Sequence, residues 1–360
     1  VLLPALPPQG SPSHAYLFYG PAGAGKRTVA RAFAAALLAE GERNPAEAAE
    51  RVRRGAHPDL TWVTPSGASE LLVGDIDESV VGAVAHTPFE SRRRVFVIEA
   101  AGTMNDQAAN RLLKTLEEPP SFAHLILLAE HREDVLPTVA SRCQHVRFDP
   151  LPSEVVEQRL LGAHPTIDPT HARACARLCG GDAELAERLA GDAGEALRAA
   201  AEGFVRGALA SHTEERPWSL LLESAKAAGA VAAATGVARV SEQAELLPGR
   251  ERRRHEREGA DVVRRAERRE RTATLDLGLR LGELWLRDAW CVASGATELV
   301  LAVDRLPELR HDAGARAPDA LRRGVELVRD TRLGLALNVS EELALEALAY
   351  RLAELLGKPE

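Results

Sequence analysis

Gly20-Pro21-Ala22-Gly23-Ala24-Gly25-Lys26 matches the first seven positions of the phosphate-loop pattern G-x-x-x-x-G-K-[ST]. Glycines at these spacings let backbone N–H groups point at phosphate oxygens, and Lys26 adds a full positive charge. Gly20, Gly23, Gly25, Lys26 and Thr28 are the candidate phosphate-binding residues. The eighth position departs from the pattern. Arg27 stands where Ser or Thr would place a hydroxyl on Mg²⁺. Thr28 comes one residue late, so on a helix it points about 100° away. Hydrolysis also needs a second strand that ends in acids. The apolar run 95–98 is followed by Glu99-Ala100-Ala101. Glu99 has the chemistry to hold a metal ion, but Ala100 cannot activate water, and losing a general base removes roughly 10²–10⁴ in rate. Glu117, Glu118 and Glu130 are the alternative acids.

The elements that must position these residues read as follows. Residues 15–19 form a buried strand entering the Gly-rich turn, and a helix follows from Lys26 to about Ala39. Further strands are expected at 60–63, 95–98, 125–129 and 145–148, with a helix over 105–118 stopped by Pro119-Pro120. Strands alternating with helices imply a parallel α/β sheet. The pattern ends near Pro150, and everything beyond reads as helix. The fold class is therefore α/β plus all-α. Three regions are expected: 1–150 (α/β), 151–197 (a small helical module) and 198–360 (a larger helical domain).

Composition narrows the function classes. The net charge of −8 argues against a freestanding nucleic-acid binder. Cys143, Cys175, Cys179 and Cys291 form no CxxC pair, so neither a zinc ribbon nor a disulfide framework is indicated. The apolar run 227–238 falls short of the roughly 20 residues that span a bilayer. With no signal pattern at the start, a cytoplasmic protein without a membrane partner is expected. Of the 45 basic residues only Lys26, Lys114, Lys226 and Lys358 are lysines, and one of them sits where a phosphate loop needs it. Residues 250–271 hold ten Arg against six acids. This segment reads as a long solvated helix or as a basic face for a partner or DNA. His171, Cys175 and Cys179 share a helical face, but eight residues span about 12 Å, too far for one ion. His57 and His86 have no triad-like company.

Several runs resemble the AAA+ clamp-loader family of bacterial DNA polymerase III. They are Asn110-Arg111-Leu112-Leu113-Lys114-Thr115-Leu116-Glu117-Glu118-Pro119-Pro120, Ser141-Arg142-Cys143, His14-Ala15-Tyr16-Leu17-Phe18 and His57-Pro58-Asp59-Leu60. The likeness is specific over 14–150. It is looser beyond, where Asn338-Val339-Ser340 and residues 344–348 look like the end of that family's collar.

The resemblance implies a RecA-like AAA+ domain at 1–150, a three-helix lid at 151–197 and a collar that holds a ring at 198–360. It implies partners: motor (gamma/tau) and delta subunits in a hetero-pentamer, the sliding clamp, and primed DNA through the complex. It also implies that Arg142, within the Ser141–Cys143 motif, is an arginine finger acting in trans on a neighbour's ATP. The departures fit a member without ATPase activity of its own. Ala129-Glu130 replaces a polar sensor of the γ-phosphate, and 181–185 offers no Arg until Arg188. No cofactor is required on this reading, although ATP or ADP bound without hydrolysis is compatible with it. The stretch 41–56, where many members carry a zinc module, has no cysteine, so zinc is not expected. The alternatives are an active ATPase motor of the same ring, and a nucleotide-binding protein outside replication.

Overall fold

The computed structural model describes residues 2, 6, 10–65, 71–245, 248–314, 316–335 and 339–357. The chain divides into two compact units, Val1–Leu151 and Pro152–Glu360. The first unit runs β1 (Ala15–Tyr19), α1 (Lys26–Leu38), α2 (Pro45–Arg53), β2 (Leu60–Val63) and α3 (Val73–Ile76). A π-helical turn at Asp77–Val81 leads into α4 (Gly82–Val84). Then come β3 (Arg94–Ile98), α5 (Asp106–Glu117), β4 (Ala123–Ala129), α6 (Pro137–Ala140) and β5 (Gln144–Arg147). All five strands are parallel, in the order β2-β3-β4-β1-β5. This is the parallel sheet expected from the alternating pattern.

Period-two alternation sorts each central strand onto two cores. Leu17, Phe96, Ile98, Leu125 and Leu127 face Ile76, Val80, Leu112 and Leu116. Tyr16, Phe18, Val97, Ile126 and Leu128 face Phe33, Leu37, Leu38 and Val52. Strand β4 starts two residues before the expected 125. His124 interrupts the apolar run, yet its ring bonds the Ser13 carbonyl and keeps it in the ladder. Helix α2 was not expected because its residues are polar. Its signals were Asn44, which accepts from Glu47 N–H, followed by Pro45 at the first helical position.

The second unit is helical: α7 (Ser153–Ala163), α8 (Pro169–Leu178), α9 (Ala183–Ala190), α10 (Asp192–Leu209), α11 (Ser219–Glu245), α12 (Gly249–Ala293), α13 (Leu306–Ala313), α14 (Pro318–Leu335) and α15 (Glu341–Leu356). The boundary expected between 197 and 198 falls inside the unbroken helix α10. Asn338 lies outside the described residues. One expectation is corrected. Thr213–Glu242 is long and apolar enough by length and composition to cross a membrane. Leu220–Leu222 and the small residues between extend the apolar run 227–238. In the structure α11 pairs antiparallel with the Arg-rich part of α12. Glycines set the close approach: a side chain at Gly236 would meet Val263, and one at Gly259 would meet Val240 at 2.5 Å.

Buried polar groups hold the first unit together. The Asp59 carboxylate accepts from the backbone N–H groups of Phe89, Glu90 and Ser91 at 2.6, 3.0 and 2.9 Å. Asp59→Ala leaves these donors unsatisfied in the interior. It should lower unfolding free energy by about 3 kcal/mol, measured by urea denaturation.

His124 is buried with Nδ1 on Ser13 O and Nε2 facing Arg93, both at 2.9 Å. The neutral Nδ1–H tautomer satisfies both contacts. Burial, reinforced by the Arg93 charge, pushes its pKa from 6.5 to about 4. The unfolded chain therefore takes up the proton first. His124's contribution is fully present above pH 6.5 and is lost as pH falls toward 4, at up to about 1.4 kcal/mol per pH unit. Urea denaturation across that window should show the slope, and His124→Gln should reduce it. His57, also held below its usual value mainly by burial, leaves a residual slope.

Candidate functional site

The phosphate loop leaves β1 at the carboxyl end of the sheet, where open α/β folds bind ligands. Gly20 N–H donates to the Glu130 carbonyl at 3.0 Å, which pins the loop to the end of β4. Gly20 has φ 147°, and a Cβ there would sit 2.1 Å from the Phe148 carbonyl oxygen, so only glycine fits. Gly25 caps α1 in the left-handed region at φ 86°, with open space where a side chain would be. No side chain caps α1 and its first turn carries no acid. By contrast α2, α5, α8 and α9 are capped by Asn44, Asn105, Asp168 and Asp182. Lys26 Nζ donates to the carbonyls of Gly20 and Pro21, the latter at 2.7 Å. Thr28 is exposed, one position around the helix from Arg27.

Arg27 reaches into the place where a metal ligand would be. Its Nη2 meets Glu99 Oε2 at 2.6 Å. Trp62 Nε1–H donates to the other carboxylate oxygen at 2.7 Å, and the Arg31 guanidinium lies 4.6 Å from the Trp62 ring centroid. Glu99 is buried and has a partner on both oxygens. Trp62 and Arg31 were not anticipated. Trp62 lies in the expected strand 60–63, but only the sheet register shows that it faces Glu99. Ala100 adopts the left-handed conformation at φ 51°, and Thr103 Oγ1 donates to its carbonyl at 2.8 Å. A methyl group in that turn offers no base.

Arg142 lies at the opposite end of the sheet. Parallel pairing sets Tyr16 beside Gln144 and Tyr19 beside Arg147. Arg142, two residues before Gln144, is therefore at the amino end of β1, and the phosphate loop is at its carboxyl end. Five strand residues at about 3.3 Å each put roughly 16 Å between them. Arg142 Nη1 donates to Thr138 O at 2.8 Å and Nη2 to Glu117 Oε1 at 2.6 Å. Ser141 Oγ also donates to Thr138 O. A shallow cavity of about 510 Å³ opens here, lined by His14, Glu117, Pro119, Ser141, Arg142 and Gln144 among others. Cys143 packs against the apolar core, and burial pushes its thiol up to about 12, so it is not a nucleophile. Of the alternative acids, Glu117 and Glu118 are at this amino end, while Glu130 is beside the phosphate loop but exposed.

In the second unit, Cys175 Sγ lies 3.6 Å from His171 Nε2, whose Nδ1 lies 3.4 Å from Asp304 Oδ2. The series resembles a thiol–imidazole–carboxylate relay. However, Cys175 is fully buried and burial pushes its thiol up to about 11. Asp304 is bound at both oxygens by Arg198, at 2.7 and 2.6 Å. The cluster is core packing. Arg188 pairs with Glu270 at 3.1 Å. Among the described residues, no group of three or more His, Cys, Asp or Glu is arranged to hold a metal ion.

Residues 5–152 match the family described as DNA polymerase III, delta subunit. The chain is 37% identical over 185 residues to the DNA polymerase III delta-prime subunit of Pseudomonas aeruginosa, covering 50% of this chain and 56% of that one. It is 36% identical over 179 residues to delta-prime of Bacillus subtilis, covering 49% and 53%. A gamma/tau subunit of Mycobacterium tuberculosis is 32% identical over 161 residues, 42% of this chain and 27% of that one. The chain thus spans little more than half the length of the delta-prime relatives it matches. A DNA polymerase III gamma subunit-related structure from Thermotoga maritima covers 95% of this chain and 94% of its own, at 18% identity and a TM-score of 0.45. The phosphate loop, the Glu117–Pro120 run and the Ser141–Cys143 motif all fall within the matched residues, so the N-terminal unit is similar to that of the delta-prime subunits.

Proposed function

We propose that the chain is a non-hydrolysing subunit of a DNA polymerase III clamp loader, lending Arg142 in trans to the ATP site of a neighbouring motor subunit. The observation that carries this reading is the separation of Arg142 from the phosphate loop along β1. An arginine at the amino end of the sheet cannot reach its own chain's phosphates, which supports a role on another subunit. A guanidinium there stabilises charge developing on the transferred phosphoryl group, an effect worth about 10³–10⁵ where it has been measured. The partners are gamma/tau and delta subunits in a five-membered ring, the sliding clamp, and primed DNA held by the whole complex in the cytoplasm. The helical second unit would serve as lid and collar.

The residues at the chain's own loop do not fit a catalytic Mg²⁺. Glu99 has both oxygens engaged, and a guanidinium stands in place of the Ser or Thr hydroxyl. No base follows Glu99, and Ala129-Glu130 presents an acid where a phosphate sensor would stand. These departures speak against an active motor subunit. No hydrolytic step is assigned to this chain.

The test is reconstitution with motor and delta subunits and the clamp. Arg142→Ala should leave ring assembly intact, by gel filtration, and slow clamp loading at least about tenfold, since a trans finger contributes far more than that. Unchanged clamp-stimulated ATPase and loading would remove the finger assignment. Turnover near ~1 s⁻¹ by the purified chain alone, the lower end for working phosphoryl-transfer enzymes, would restore the motor reading.

A further inference from the structure

We propose that the guanidinium of Arg27 takes the place of magnesium at this phosphate loop, so that the loop holds the phosphate chain of a nucleoside di- or triphosphate without a divalent ion. The inference rests on reading Gly20–Lys26 as a phosphate loop, and it goes beyond the loss of hydrolysis. A loop that has merely decayed and a loop with a built-in cation behave differently toward ligand.

Position 27 directly follows the loop lysine, where a hydroxyl would otherwise contact the ion. The arginine there is directed onto Glu99, the acid at the end of β3 that would face that ion. Trp62 holds the second oxygen of the same carboxylate, so the pair is fixed from two sides. Magnesium demands near-ideal octahedral oxygen geometry at about 2.0–2.1 Å. A carboxylate closed by an indole N–H and a guanidinium does not offer it, and the guanidinium repels a second cation.

The charge that magnesium would bring is partly supplied by the protein. Lys26 and Arg27 bring two side-chain cations to the loop, where Glu99 and Glu130 are the neighbouring acids. Arg27 is well suited to this role because its planar fork matches phosphate oxygens in pairs. Its side chain stays 59% exposed while it bonds Glu99. The rest of the cradle is in place. Gly25 holds its left-handed turn with open space above it, and the first turn of α1 has neither a capping side chain nor an acid. A resident cation at this position favours a polyphosphate in its metal-free form.

The experiment is equilibrium binding of fluorescently labelled ADP and ATP to the full chain, in excess Mg²⁺ and in EDTA. Wild type should bind with dissociation constants that agree within about twofold in the two buffers. Arg27→Thr, which returns the hydroxyl, should weaken binding in EDTA at least about tenfold relative to Mg²⁺. Thermal denaturation checks that this variant is folded. Glu99→Gln keeps Arg27 and an acceptor for Trp62, and should bind in EDTA at least as tightly as wild type. Three results would overturn the proposal: wild-type binding that disappears in EDTA, no wild-type binding in either buffer, or a folded Arg27→Thr variant still indifferent to Mg²⁺. The trans role of Arg142 is read from clamp loading, so either idea can fail without the other.

Discussion

The hydrogen-bonded register of β1, held between β4 and β5, is the constraint on which the candidate chemistry depends. Parallel pairing of Ala15 with Leu125 and of Tyr16 with Gln144 orients three strands the same way. Every loop that follows a strand then emerges at one end, and every segment that precedes one enters at the other. The phosphate loop follows β1, whereas Arg142 precedes β5. A one-residue slip would exchange the faces of Tyr16 and Leu17, and both cores would lose their fit. The separation of the two sites is thus as secure as the packing of the sheet.

That geometry gives the two basic centres different tasks. At the carboxyl end, Lys26 and Arg27 are tied to carbonyl and carboxylate oxygens of their own chain. At the amino end, Arg142 is held by Glu117 and the Thr138 carbonyl on a partly exposed surface beside a shallow cavity. An exposed ion pair of this kind contributes at most about 1 kcal/mol. It orients the guanidinium without burying it.

In the helical unit, polar groups fix the arrangement of otherwise interchangeable Ala- and Leu-rich helices. Arg198 on α10 binds Asp304 through two hydrogen bonds, and Asp288 on α12 accepts the backbone N–H groups of Leu301 and Ala302. Buried bonds of this kind are directional, so they select one docking among many that would bury similar apolar area. Where the helices run long, along α11 and α12, glycines rather than polar groups set the spacing.

The sequence by itself determined the five strands of the first unit and helices α1 and α5, because continuous apolar runs, a glycine-rich turn and Pro119-Pro120 are local signals. It also determined the chemical gaps, since an alanine at position 100 and an arginine at 27 have the wrong functional groups wherever they lie. Helix α2, with its polar face, was less legible, and the continuity of α10 through residue 198 escaped a reading based on composition. Tertiary structure alone decided who faces whom. That Trp62 shares Glu99 with Arg27 and that Glu117 pairs with Arg142 are contacts between residues 25 to 72 positions apart, and that Arg142 and Lys26 lie at opposite ends of one strand is equally non-local. No spacing rule encodes such contacts. They follow from which strands pair, in what register, and at which end of the sheet each loop is left.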